Sequence, residues 1–354
     1  FAIAGFSQAN VSQLLCDNLS NPIGIGVSNP TFSWQLKSDK RNVIQAAYEI
    51  RVSNDLSHLK KGKSLEWNSG KILSDESVHV IYKGNALQSA KKYFWQVRVW
   101  DNYGKASGWS TPAFFQMALL NETDWKAKWI EPGFEDIVGQ PSPMFRKQFS
   151  SDKKIKSAAV FITAHGLYEA HINGHRVGED YFTPGWTSYN KRLQYQEYDV
   201  TDLIKQGSNA IGVTLGSGWY RGHLAWDNNK NIYGKDISLL LQLIITYNDG
   251  STKTIVSNES WKSTTGSIRS SSIYDGETID GRLEKTGWTL PGYDDAKWSG
   301  VTVENFSNDN LIATINEAAT RHETFKPVKI ITTPKGEKVI DFGQNLVGWV
   351  MLKV

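Results

Sequence analysis

Apolar and polar side chains alternate at a period of two along most of this chain, and apolar runs at the 3.6-residue period of a helix are almost absent. The clearest run is Tyr93–Trp100. One of its faces carries Tyr93, Trp95, Val97 and Val99; the other carries Phe94, Gln96, Arg98 and Trp100. Similar runs predict strands at Thr31–Leu36, Ala46–Val52, Val78–Tyr82 and Ala113–Met117, separated by turn-forming clusters such as Ser38–Lys40, Asn68–Gly70 and Asp101–Gly104. Residues 21–119 therefore read as a fibronectin type III-like β-sandwich, with an immunoglobulin-like variant left open. Residues 1–20 read as an extension ahead of it.

Beyond Asn121–Trp125 the pattern resumes with longer apolar runs at Ala158–Thr163, Leu167–Ile172, Ala210–Leu215 and Ile237–Tyr247. Residues 120–306 exceed a simple immunoglobulin-like domain and fit a jelly roll with long loops. Asp199–Gly207 reads as a short helical turn, capped by Asp199 or Thr201 and stopped by Gly207. Residues 307–354 give further strands at Pro327–Thr332, Lys338–Asp341 and Trp349–Val354, the start of another sandwich. An apolar final strand would leave an unpaired edge, so the natural protein is expected to continue past it. The predicted class is all-β, built of tandem sandwiches.

Composition adds an aromatic excess: 14 Trp, 14 Tyr and 14 Phe. Such rings fill sandwich cores, and Trp and Tyr also stack on sugars with a polar edge free. Net charge is +3 and no Lys/Arg run stands out, so a nucleic-acid partner has no electrostatic footprint. The single cysteine, Cys16, rules out an internal disulfide and a cysteine zinc site. No run of 18 apolar residues offers a membrane span. The apolar stretch Phe1–Phe6 is consistent with the end of an export signal, which makes a periplasmic or secreted location the expectation.

Several segments together resemble one family. Asn21–Gly24, Pro30–Trp34, Gln45–Val52, Tyr93–Asp101 and Gly108–Ser110, the last as a closing strand, resemble the N-terminal fibronectin-like region of bacterial α-L-rhamnosidases, glycoside hydrolase family 78. Trp125–Ile130 resembles the link to the next module. Asn173–Gly178, Pro184–Tyr189, Tyr198–Thr201, Gly218–Gly222, Tyr274–Arg282 and Gly292–Trp298 resemble the rhamnosidase N-terminal domain. Asp341–Trp349 resembles the opening of a further sandwich before the catalytic barrel. The resemblance implies a parent enzyme that removes terminal α-L-rhamnose from polysaccharides or glycosides with inversion. Its catalysis would use two carboxyl groups roughly 6.5–9.5 Å apart on a C-terminal α/α barrel. No helical run here could form that barrel, so no catalytic residue is assigned. The partners implied are an L-rhamnose-containing glycan and that catalytic domain. A stand-alone carbohydrate-binding or adhesion protein is the alternative.

In some relatives the central module is similar to a carbohydrate-binding module that holds rhamnose through calcium, an ion that takes roughly six to eight oxygens. That likeness nominates Glu179, Asp180, Asp227 and Asn228 as calcium ligands, and Trp186, Trp219, Trp226 and Asn228 as sugar contacts. The competing reading makes Gly178–Tyr181 a solvated turn and Trp226–Asn231 a surface loop. Glu277 and Asp280 could form a catalytic carboxylate pair, but with Arg282 they read rather as a buried ion-paired turn. His165, His171, His175 and His223 follow no catalytic or metal-binding spacing.

Overall fold

A computed structural model describes residues 9–134, 139–227 and 229–351. The expectations at Phe1–Phe6 and Asn228 lie outside them, as do the last three residues of the strand expected at Trp349–Val354. Trp349–Met351 is not strand.

The first module packs a three-stranded sheet on a six-stranded one. The strand Lys92–Asp101 runs through the larger sheet between Gln45–Ser53 and Ala113–Met117, both antiparallel to it. The alternation decides which side faces in: Tyr93, Trp95, Val97 and Val99 are all buried and meet Phe32, Ile50 and Phe115. The opposite face holds a stack of cations and rings. Arg98 lies between Trp100 and Trp109, at 5.0 and 4.7 Å, and Arg51 covers Trp109 at 4.2 Å. Glu49 accepts from Arg98 Nε at 2.8 Å. Gly108–Ser110, expected as a closing strand, is irregular, although Ser107 and Ser110 donate their N–H groups to Val99 and Val97.

Two boundaries differ from expectation. Asn10–Cys16, placed in an extension, is a strand of the first sandwich, paired antiparallel with Thr31–Lys37. At the other end, Leu311–Ala313 joins the central module by pairing in parallel with Leu193–Asp199, so that module continues past residue 306.

The central module is a sandwich of a seven-stranded and a five-stranded sheet. Ser238–Tyr247 reads as an almost unbroken apolar run because both of its faces are covered. The inward face meets the core. On the outer face the junction after the first module folds over it: Gln242 Nε2 donates to the Asp124 carbonyl at 3.0 Å, and its Oε1 accepts from Lys126 N–H at 2.6 Å. In the facing sheet, Gly207–Gly216 lies between Leu167–Ile172 and Pro143–Ser151. Gly207 opens this strand instead of ending a helical turn. The turn before it is a single 3-10 segment, Thr201–Leu203.

Gly212 has no side chain because the Trp288 ring occupies that space; a Cβ there would stand 2.4 Å from Cζ3. Gly212→Ala is therefore expected to destabilise the chain by about 1–3 kcal/mol through overpacking. Thermal unfolding measures this, and an unchanged midpoint would refute the contact.

Candidate functional site

The strand Asp180–Tyr181 pairs antiparallel with Ala319–Thr320 across a gap of nearly 140 residues. Gly178 leads into it with φ +70°, and a Cβ there would collide with the Tyr198 ring at 2.3 Å. Only glycine meets both conditions. This pairing brings the segment 314–319 against the loop that carries Trp186 and encloses a cleft of about 220 Å³.

Aromatic rings form one wall. Trp186 and Trp219 lie nearly parallel, 6° apart with centroids at 5.8 Å, and Phe182 meets Trp219 edge-on at 6.1 Å. An indole pair this close leaves no room for a ring between its members, so the two act as one stepped platform. Trp186 is 53% exposed, so its ring is open to a ligand. Its Nε1 points to Tyr233 Oη at 3.4 Å.

Polar groups form the rest, and buried bonds set their positions. Gln196 donates to the Pro184 carbonyl at 3.1 Å and to Thr314 Oγ1 at 2.9 Å, and accepts from Tyr168 Oη at 2.7 Å. Tyr198 Oη donates to Asp180 Oδ2 at 3.0 Å. Burial pushes both phenols well above their ordinary value, so both stay protonated and act as donors. The two hydroxyls stand 3.3 Å apart and link the Gln196 and Asp180 ends of the cleft.

Of the residues nominated from sequence, Asp180, Trp186 and Trp219 meet here. Trp226 does not: it is 85% exposed and lies off the cleft, as does Asp227 on the same loop. Glu179 is exposed and also outside it. Among the described residues no group of three or more His, Cys, Asp or Glu converges, so Glu179, Asp180 and Asp227 form no cage for calcium. Asp280 and Arg282 do pair, at 2.7 Å, but the expected burial is absent: the Arg282 side chain is 89% exposed, and Glu277 is exposed as well. His165 is a core residue, stacked between Trp129 and Tyr220 and pushed down to about 4 by burial. Gln196, Thr314, Asn316 and Glu317 carry no sequence signal; only the long-range strand pairing places them in the cleft.

Two sandwiches in series, the second bearing an open aromatic cleft, define a tandem β-sandwich accessory region. Residues 11–121 match the Rha78A-like N-terminal immunoglobulin domain, and residues 153–323 match the alpha-L-rhamnosidase N-terminal domain. The chain belongs to the N-terminal region of the α-L-rhamnosidases of glycoside hydrolase family 78. It is similar to an alpha-L-rhamnosidase of Formosa agariphila, 39% identical over 96% of this chain and 38% of that protein. It is similar in structure to the native enzyme from Aspergillus terreus, with TM-score 0.89 and 38% identity over 96% of this chain and 39% of that one. The Streptomyces avermitilis alpha-L-rhamnosidase complexed with L-rhamnose superposes with TM-score 0.87 at 25% identity, over 96% of this chain and 49% of that one. The chain thus spans about two fifths of the length of three curated relatives it matches. Among the described residues no helix is long and apolar enough to cross a membrane.

Proposed function

We propose that this chain serves an exported α-L-rhamnosidase by holding or positioning a sugar of the rhamnose-bearing glycan, while a catalytic domain outside these residues hydrolyses it. The observation that carries this reading is the Trp186–Trp219 platform facing the ordered polar groups of Gln196 and Asp180. A pyranose has a flat apolar face and a hydroxyl rim, and the cleft offers a counterpart to each. Its volume is below the roughly 300–1,000 Å³ of drug-sized sites and suits a single ring. The apolar side chains left open on the hairpin Lys329–Thr332 and Lys338–Asp341, Val328, Ile330 and Ile340 among them, are where this reading seats the rest of the parent.

Isothermal titration with methyl α-L-rhamnoside tests the reading. Binding is expected, and Trp186→Ala should weaken it at least tenfold, about 1.4 kcal/mol or more. A chelator should leave the isotherm unchanged, because no acidic cage serves the cleft; loss of heat on chelation would restore calcium. The chain alone should not hydrolyse nitrophenyl α-L-rhamnoside, and turnover would refute the assignment of chemistry to another domain.

A further inference from the structure

We infer that the Trp186–Trp219 cleft selects neutral sugar rings and rejects acidic ones; this rests on the sugar-holding reading above. The described residues that line it include two carboxylates, Asp180 and Glu317, and no Lys, Arg or His. They reach it from opposite sides of the short antiparallel pair formed by Asp180–Tyr181 and Ala319–Thr320. Neither makes an ion pair with another described residue.

The nearby cation Arg176 is already committed. Its Nη1 donates to the Gly178 carbonyl at 2.8 Å and its Nη2 to the Asp180 carbonyl. Its Nε reaches Glu169 at 3.4 Å, and the guanidinium packs 4.4 Å from the centre of the Tyr181 ring. No guanidinium fork is left for a ligand carboxylate, which is the arrangement that usually recognises one.

The same groups suit hydroxyls. A carboxylate accepts hydrogen bonds and cannot donate them, whereas every sugar hydroxyl can donate. Asp180 Oδ2 accepts the Tyr198 hydrogen bond, leaving Oδ1 for a ligand. Because Tyr198 holds Asp180, and Tyr168, Pro184 and Thr314 hold Gln196, little order remains to be gained on binding. A uronate placed on the platform would set its own carboxylate among two like charges. A 6-deoxy or ordinary neutral hexose brings no such conflict.

The test is titration of the full chain at pH 7 with methyl α-L-rhamnoside and, separately, with methyl α-D-galacturonate. The neutral glycoside should bind at least about tenfold more tightly. In Asp180→Asn/Glu317→Gln that gap should shrink to about threefold or less, and added salt should narrow it in the unaltered chain. Glu317→Gln alone, at an exposed position with no structural side-chain bond, gives a partial effect even if the Asp180 change disturbs folding. Uronate binding as tight as that of the neutral sugar in the unaltered chain overturns the charge selection and leaves the sugar-holding reading standing. Binding of neither sugar overturns both.

Discussion

Replacing Arg146 with methionine is expected to cost the central module about 3–5 kcal/mol, the range for a buried charge pair broken from one side. Arg146 is 1% exposed, on the strand Pro143–Ser151. Among the described residues it is the only cation in the set of largest fully buried side chains, and each of its nitrogens has a use. Nε donates to the Trp288 carbonyl at 2.8 Å, Nη2 to the Leu290 carbonyl at 3.0 Å, and Nη1 to Asp295. The guanidinium thus ties down residues 288–295, a loop without regular strands whose rings Trp288 and Tyr293 pack against Trp298. Burial pushes the Asp295 carboxyl up, but the Lys262 hydrogen bond and the Arg146 charge more than offset it and hold the group below its usual range. Methionine fills much of the same volume but leaves two carbonyls unmatched and Asp295 with Lys262 alone. Denaturant unfolding gives the size of the loss. Limited proteolysis gives its location: cleavage should concentrate near Trp288–Trp298. A loss under about 1 kcal/mol would show that the loop is held mainly by its rings.

That anchor also marks where sequence reading runs out. Arg146 and Asp295 are 149 residues apart, and neither sits in a pattern that advertises the other. Strands with a simple alternation were legible, several to the residue: Ala113–Met117, Leu167–Ile172 and Lys338–Asp341 lie where the period placed them. Asn10–Cys16 was not, because its register slips between Ser12 and Leu15, where Gln13 takes φ +47°. One slipped residue moves every later side chain to the other face, so the period vanishes. Leu311–Ala313 was missed for a different reason: three residues are too few to show any period, and its parallel pairing comes from the far strand Leu193–Asp199.

The cleft was half legible. Trp186 and Trp219 stood out as rings in Gly-rich loops, and Asp180 as an acid beside them. Trp226 met the same criteria but is 85% exposed and does not line the cleft, since residue type in a loop does not reveal where the loop points. The wall at 314–319 carries no chemistry in sequence; the pairing of Tyr181 with Ala319, the parallel pairing of Leu311–Ala313 and the Gln196 bond to Thr314 place it.

Glu197→Gln is expected to make the chain more stable at alkaline pH while leaving it little changed in acid. Glu197 lies at the seam between the two sandwiches. Its Oε1 accepts from Gln116 Nε2 of the first module at 2.5 Å, and its Oε2 is buried without a partner. Gly24 of the first module closes over its Cβ, where an added methyl would stand 3.6 Å away. Burial is the main force on this carboxyl and pushes it up to about 8. The Gln116 hydrogen bond pulls it down, Asp199 raises it and Lys92 lowers it. The folded chain therefore keeps the proton to about pH 8, whereas the unfolded chain releases it near 4.5. Between those values the folded state holds more protons, so stability falls as pH rises through this window, by at most about 5 kcal/mol at about 1.4 per pH unit. Glutamine keeps the shape and still accepts from Gln116, but it has no proton to lose. Glu131, pushed up to about 7 by burial and then by Asp236 and Glu304, falls in the same direction and remains in the variant. The difference between the two proteins should therefore widen from pH 5 and level off above pH 8. Melting midpoints at half-unit intervals from pH 4 to 9.5 measure it. Parallel curves for the two proteins would mean that Glu197 is ionised in the folded chain and that the seam tolerates its charge.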